Sequence, residues 1–329
     1  MAVLLVTSDR PSAGKTSTAL ALAASAEKIG RKAIVYKPFS KYAIDEDSKV
    51  FARLANPALD RWPQPVADTT KFGQIDDLLG SLESIDSTAE TLTILELESS
   101  HGAEWVAQVA DRLNAHTLVI AQARSGLRAA DLSDWKEALT NRLAGILVNG
   151  ATRYMGTEAS EIITPSFDEA EIELIGIVPE DRALLSVTVD QIRAGLGGRY
   201  AVDEGDVNSP IEHFQVGCMS LDSGELRFGL YDRNAVVVRG DRPDIQMSAL
   251  NASVSCLVLT GGIDPIEYIS YEAQEEETPV MVVESDTLTT MSMLNDVTTS
   301  ARMDTAAKVA RFAELLEAHA DLSRVWSAV

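Results

Sequence analysis

The sequence predicts a doubly wound α/β domain built on a parallel sheet, followed by a second, smaller α/β domain, and three observations predict it. Short runs rich in Val, Ile and Leu are continuous rather than alternating, as in strands covered on both faces. Helix-patterned segments separate these runs, as βαβ units require. Near the start, "TSDRPSAGKTS" joins an apolar run to a helical one and ends like a phosphate-binding loop.

Taken in order, "AVLLVTS", "KAIVYKP", "TILELE", "HTLVIAQA", "LAGILVNG" and "IELIGIVP" are the strands of the first domain. The segment "KTSTALALAASAEKIG" is composed of good helix formers and stops at Gly30, and "DLSDWKEALTNRL" opens on capping-type residues. Residues 195–210, "GLGGRYAVDEGDVNSP", concentrate Gly, Asp, Asn and Pro, so a linker is expected there, between a first domain of residues 1–200 and a second of residues 208–329. After it the alternation restarts with "FQVGCMS", "NAVVVRG", "SCLVLTGG" and "TPVMVVES", and two helical segments follow. The separate core expected of residues 208–329 suggests a unit that folds alone and carries a dimer contact.

The formal net charge of −22 over 329 residues excludes a nucleic-acid surface, which needs clustered Lys and Arg, and disfavours anionic membranes. No export leader and no membrane-length apolar run occur, so a soluble cytoplasmic protein is expected. Cys218 and Cys256 lie in apolar stretches and read as buried free thiols, and the four His residues lack zinc-like spacing.

The loop carries the chemistry. Backbone N–H groups from Ser12, Ala13, Gly14, Lys15, Thr16 and Ser17 would face an anion at the start of a helix, Lys15 would reach the outer phosphates of ATP or ADP, and the Thr16 hydroxyl would sit on Mg²⁺. The usual pattern begins with a glycine, yet Asp9 stands at that position, and Ser8 stands there in a register one residue longer. Asp9 could lie near the outermost phosphate. Lys37, at a strand's carboxyl end, is a second cation for phosphates or a bound acid, or a solvated terminus. Asp45, Glu46 and Asp47 precede a helix, as a cap or as metal ligands. Glu96 and Glu98 end a strand on one side of the sheet, and Glu98, taken as its last residue, is the preferred Mg²⁺ group over the alternative of a solvated strand end.

Taken together, the AGKT loop, the "YKP" strand end, the acidic "DED", the strand-end glutamate and "LVNG" resemble the dethiobiotin synthetase and cobyrinic acid diamide synthase branch of P-loop NTPase domains. The segment "IGIVPEDRALLSVTVDQI", residues 175–192, resembles the end of the N-terminal P-loop domain of long bacterial phosphotransacetylases, and residues 236–265 resemble the DRTGG domain that follows it there. The resemblance implies Lys15 and Lys37 on the phosphate side, Thr16, Asp47 and Glu98 on the Mg²⁺ side, and Asn149 reading the nucleotide base, where a plain turn before Gly150 is the alternative. It also implies a stand-alone form without the phosphotransacetylase catalytic domain.

Two functions follow as expectations. One is a nucleotide-binding regulatory or sensory protein, homodimeric or of higher order, that reports through the DRTGG domain. The other is an ATP-dependent ligase that activates a carboxylate or carbamate, with Lys15 and Lys37 as catalytic cations. A decayed scaffold is a third possibility. In the second domain Asp241, Arg242, Gly261 and Gly262 would line a groove for a small acid or acyl-phosphate, or else Arg242 only pairs with an acidic neighbour and the glycines only turn the chain.

Overall fold

A computed structural model describes residues 2–40, 45–55, 91–218 and 224–329. The chain divides into two compact units: residues 1–181 with 303–329, and residues 182–302.

The first unit is built on a six-stranded sheet of β1 (Ala2–Ser8), β2 (Ala33–Tyr36), β3 (Leu92–Glu96), β4 (His116–Gln122), β5 (Leu143–Ala151) and β6 (Leu174–Pro179), in the order β2-β3-β1-β4-β5-β6. Every pairing in it is parallel. Alternate residues serve opposite faces, and both faces are covered, which is why the strands are apolar at nearly every position. Val3, Leu5, Ile34, Tyr36, Leu95, Val119 and Ile146 join one core with Val106 and Val109 of helix Ala103–Leu113 and Trp135 of helix Ser133–Leu139. Glu96 follows Leu95, so its side chain leaves the strand on the opposite side.

Helix α1 (Lys15–Lys28) follows β1 in the chain, and α2 (Glu46–Leu54) follows β2. The chain returns to this unit at its end. Helix Ala306–His319 packs on α1, with Lys28 Nζ 2.8 Å from Glu317 Oε1, and Asp321 N donates to Ile175 O at 2.8 Å. Val309, Phe312, Ala313 and Leu316 bury the helix's apolar stripe.

The second unit holds β8 (Arg199–Val202), β10 (His213–Gly217), β11 (Asn234–Arg239), β12 (Cys256–Thr260) and β13 (Val280–Val283), with the short pair β7 (Val187–Thr188) and β9 (Pro210–Ile211) beside them. Its sheet order is β10-β11-β12-β13-β8, parallel except where β8 meets β13 antiparallel. Val236, Val238, Leu257 and Leu259 pack into one core and Ala235, Val237, Cys256 and Val258 into another, so this sheet also has two covered faces.

Three expectations change. The polar stretch 195–210 lies inside the second unit, where its ladder bonds to β13 satisfy the backbone despite few apolar side chains. The two C-terminal helices belong with the first unit because their apolar stripe is buried against α1 and β6. Burial pushes the Cys256 thiol up to about 12, whereas Cys218 is exposed, contrary to the expected burial of both.

Candidate nucleotide site

The loop between β1 and α1 places its conformational demand away from the missing glycine. Positive φ falls on Ser12, at 59°, and Gly14, at 99°, and on neither Ser8 nor Asp9. A glycine at position 8 or 9 is therefore not required by this backbone. It is required at position 14, where a Cβ would lie 2.3 Å from Asn149 Nδ2. That amide donates to Ala13 O at 2.9 Å, so β5 holds the loop from the side.

The residues that replace the glycine have been put to use. Ser8 Oγ donates to Arg10 O at 2.7 Å and accepts from Lys15 Nζ at 3.1 Å. Asp9, 7% exposed at its side chain, accepts from Gln122 N at 3.1 Å and pairs with Arg10 and Arg124, each at 3.0 Å. Its charge is committed to the end of β4, which corrects the expectation that it would lie near the outermost phosphate. Gly14 caps α1 without a side-chain bond, and the first turn of the helix has no acidic residue. The first turn thus offers its leading N–H groups no carboxylate of its own, and the helix dipole favours an anion.

Lys15 neighbours a charge cluster centred on Lys37. Lys37 Nζ, 7% exposed at its side chain, is 2.9 Å from Asp45 Oδ2, 2.9 Å from Asp47 Oδ2 and 3.9 Å from Glu96 Oε1. Burial works to lower the Lys37 pKa, but the Glu96, Asp47 and Asp45 carboxylates outweigh it and hold it above the ordinary lysine value. Burial lowers that of Lys15, against the pull of Glu96 and together with the repulsion from Lys37. Glu96 is pushed up to about 7 by burial, with Lys37, Lys15 and the Thr16 hydroxyl opposing the rise. Asp45 caps α2 through Ser48 N at 2.9 Å and accepts from Ser40 Oγ at 2.6 Å.

The structure corrects the premise behind Glu98. Strand β3 ends at Glu96, which is 2% exposed, and Glu98 lies two residues beyond with Ser100 Oγ 3.5 Å from its carboxylate. Hydrophobic alternation through Leu97 extended the expected strand. Lys37 also faces carboxylates rather than open space, and Asn149 supports the loop backbone. Ser12, Ala13, Lys15, Thr16 and Ser17 all lie on the loop and the first turn of α1. The sequence reading missed Asp45 as a partner of Lys37, Arg124 as a partner of Asp9, and Glu96 as a carboxylate that acts on both lysines. The acid–base alternation of these segments signalled charge but not pairing.

Magnesium fits this site only with help from a ligand. Among the described residues, no group of three or more His, Cys, Asp or Glu is arranged to hold a metal. Glu96 Oε2 is buried without a hydrogen-bond partner, and the Thr16 hydroxyl faces the same carboxylate. Hard oxygen donors of this kind suit Mg²⁺ that takes its remaining ligands from phosphate and water.

In the second unit Arg239 pairs in register with Thr260, so "RGDRP" and "TGG" emerge at neighbouring strand ends. The expected anion groove is not formed there. Gly261 N donates to Ser285 O at 3.0 Å and Gly262 N to Val283 O at 2.9 Å, while Arg242 pairs with Asp244 through two bonds at 2.9 and 2.7 Å and Arg239 pairs with Asp241. The glycines adopt φ of 87° and 68° and serve a turn.

A doubly wound parallel sheet whose first strand runs through a glycine–lysine–threonine loop into a helix has the P-loop NTPase fold. A mixed-sheet unit follows it. A family model described as "DRTGG domain" matches residues 191–297. Among solved structures, the chain is similar to the CBS and DRTGG domains of the regulatory region of Clostridium perfringens pyrophosphatase complexed with its activator diadenosine tetraphosphate, at 18% identity over 47% of this chain and 74% of that one, with a TM-score of 0.32. It is similar to the MinD cell division protein of Aquifex aeolicus at 18% identity, over 56% and 84% of the chains, with a TM-score of 0.38. It is also similar to cobyrinic acid a,c-diamide synthase from Mycobacterium smegmatis with bound ATP analogue and magnesium, at 17% identity over 55% and 85%, with a TM-score of 0.38. No helix among the described residues is long and apolar enough to cross a membrane.

Proposed function

We propose that the chain is a regulatory or sensory protein that binds ATP or ADP with Mg²⁺ on the loop between β1 and α1. The observation that carries this reading is the uncapped start of α1 facing Lys15, with a buried Glu96 oxygen lacking a hydrogen-bond partner close by. Loop N–H groups from Ser12 to Ser17 hold the phosphates, and Lys15 leaves Ser8 Oγ to meet the outer ones. Thr16, Glu96 and Asp47 form the metal side, with Glu98 further out. Mg²⁺, when bound, supplies charge neutralisation between the phosphates and these carboxylates. Asn149 keeps the loop in position, and its amide oxygen is the atom that would accept from a base. The DRTGG domain is the reporting unit, a division of labour that the phosphotransacetylase resemblance supports, and a homodimer is the expected assembly.

Calorimetry of the full chain with ATP and MgCl₂ tests the reading. Wild type should bind and Lys15→Ala should lose at least about tenfold in affinity, because the loop amides alone leave the outer phosphate charge uncompensated. Absence of binding by wild type at millimolar nucleotide overturns it. Phosphate release stimulated by small carboxylic acids would mark a ligase instead, in which Lys37 serves the acid.

A further inference from the structure

We propose that Lys37 is a tethered counter-ion for a divalent-cation site: its ammonium neutralises Asp45, Asp47 and Glu96 while no metal is bound, and a divalent cation takes Asp47 and Glu96 from it and turns it toward the ligand. The turn toward a ligand rests on the nucleotide reading; the exchange of cations does not.

The three carboxylates around the ammonium are not equivalent. Asp45 is committed to its own helix and turn, because Oδ1 accepts from Ser48 N and Oδ2 from Ser40 Oγ. Asp47 Oδ2 is bonded to Lys37 itself, and its side chain is 32% exposed. Glu96 meets Lys37 only at 3.9 Å and keeps Oε2 buried without a hydrogen-bond partner. Asp47 and Glu96 are therefore the transferable pair, and Asp45 is the anchor to which the ammonium stays tied.

Charge balance supplies the drive. Lys37 and Lys15 face Asp45, Asp47, Glu96 and, further out, Glu98, so the cluster has more acids than bases. Buried excess charge is costly unless a cation is added or a proton retained. A divalent ion bound at about 2.0–2.1 Å from oxygen cannot share those oxygens with an ammonium, whose repulsion from it is strong at such range. Lysine's four-carbon stem lets the ammonium move while the backbone stays. A nucleotide's phosphates would then meet a site whose negative charge has been cancelled and which presents one more mobile cation.

The test uses the full chain without nucleotide and Mn²⁺ as the probe, its free ion followed by electron paramagnetic resonance. Lys37→Met should bind Mn²⁺ at least about tenfold more tightly than wild type, since the competing charge is gone, and Lys37→Arg should stay near wild type. Equal or weaker Mn²⁺ binding by folded Lys37→Met overturns the proposal. Should that variant fail to fold, wild type labelled with ¹³C at lysine Cε decides. The Lys37 signal, assigned by its loss in Lys37→Arg, should move on adding Mg²⁺, and a signal that does not move overturns the proposal. Tight Mn²⁺ binding by Lys37→Met without any nucleotide binding by wild type would support the exchange and end the nucleotide reading. Nucleotide binding with unchanged Mn²⁺ affinity would do the reverse.

Discussion

Replacing Gly14 by alanine puts two separable strains on the loop, and a second substitution can remove one of them. The backbone at φ 99° is the first, costing a non-glycine residue about 1–2 kcal/mol. The second is the contact of the new Cβ at 2.3 Å from Asn149 Nδ2, which forces the amide off Ala13 O and adds about 1–3 kcal/mol of overpacking and lost bonding. Gly14→Ala should therefore cost about 2–5 kcal/mol. Asn149→Ala alone leaves the carbonyl of Ala13 unpaired at a residue that is 2% exposed, costing about 1–3 kcal/mol. In the double variant the clash has no partner while the backbone strain persists, so its cost should fall short of the sum by about 1–3 kcal/mol. Urea unfolding followed by tryptophan fluorescence reads this for the relevant unit, because among the described residues the tryptophans, Trp105, Trp135 and Trp326, all belong to it. Additivity within about 0.5 kcal/mol would refute the coupling between loop and strand, and a cost for Gly14→Ala below about 1 kcal/mol would refute the need for glycine at all.

The remaining outcomes follow from the charge cluster. Glu96→Gln should weaken the Mg²⁺ dependence of nucleotide binding by about tenfold or more while Glu98→Gln changes it less, since only Glu96 is buried among the lysines; equal effects in a Mg²⁺ titration would count against the assignment. Asp45→Asn keeps an acceptor for Ser48 N but removes the charge. The Asp45 pKa is lowered in the folded chain: burial tends to raise it, but bonds from Ser40, Lys37 and Ser48 prevail. Its stabilisation is therefore complete above the unfolded value of about 3.9 and lost as pH falls through the lower folded value. Wild type should lose stability in that acid range more steeply than Asp45→Asn, and superimposable pH profiles would show that the charge contributes nothing.

The sequence by itself determined the parallel strands of both sheets, because runs such as "AVLLVTS" and "NAVVVRG" are apolar at consecutive positions and only a sheet covered on both faces buries all of them. The place of Gly14, Lys15 and Thr16 between a strand and a helix was legible too, since those residues there are a local signal. Antiparallel β8 was less legible, being short and set in a polar stretch whose order comes from the β13 ladder. The tertiary structure alone decided which charges meet. Lys37 and Glu96 are 59 positions apart in the chain and come together only because β2 lies beside β3. Asp9 and Arg124 likewise meet because the loop after β1 lies against the end of β4. It also decided that the last helices return to the first unit, an outcome fixed by the apolar stripe of helix Ala306–His319 matching α1. Local pattern records what each segment can bury, whereas pairing between distant charges depends on strand order, which no single segment encodes.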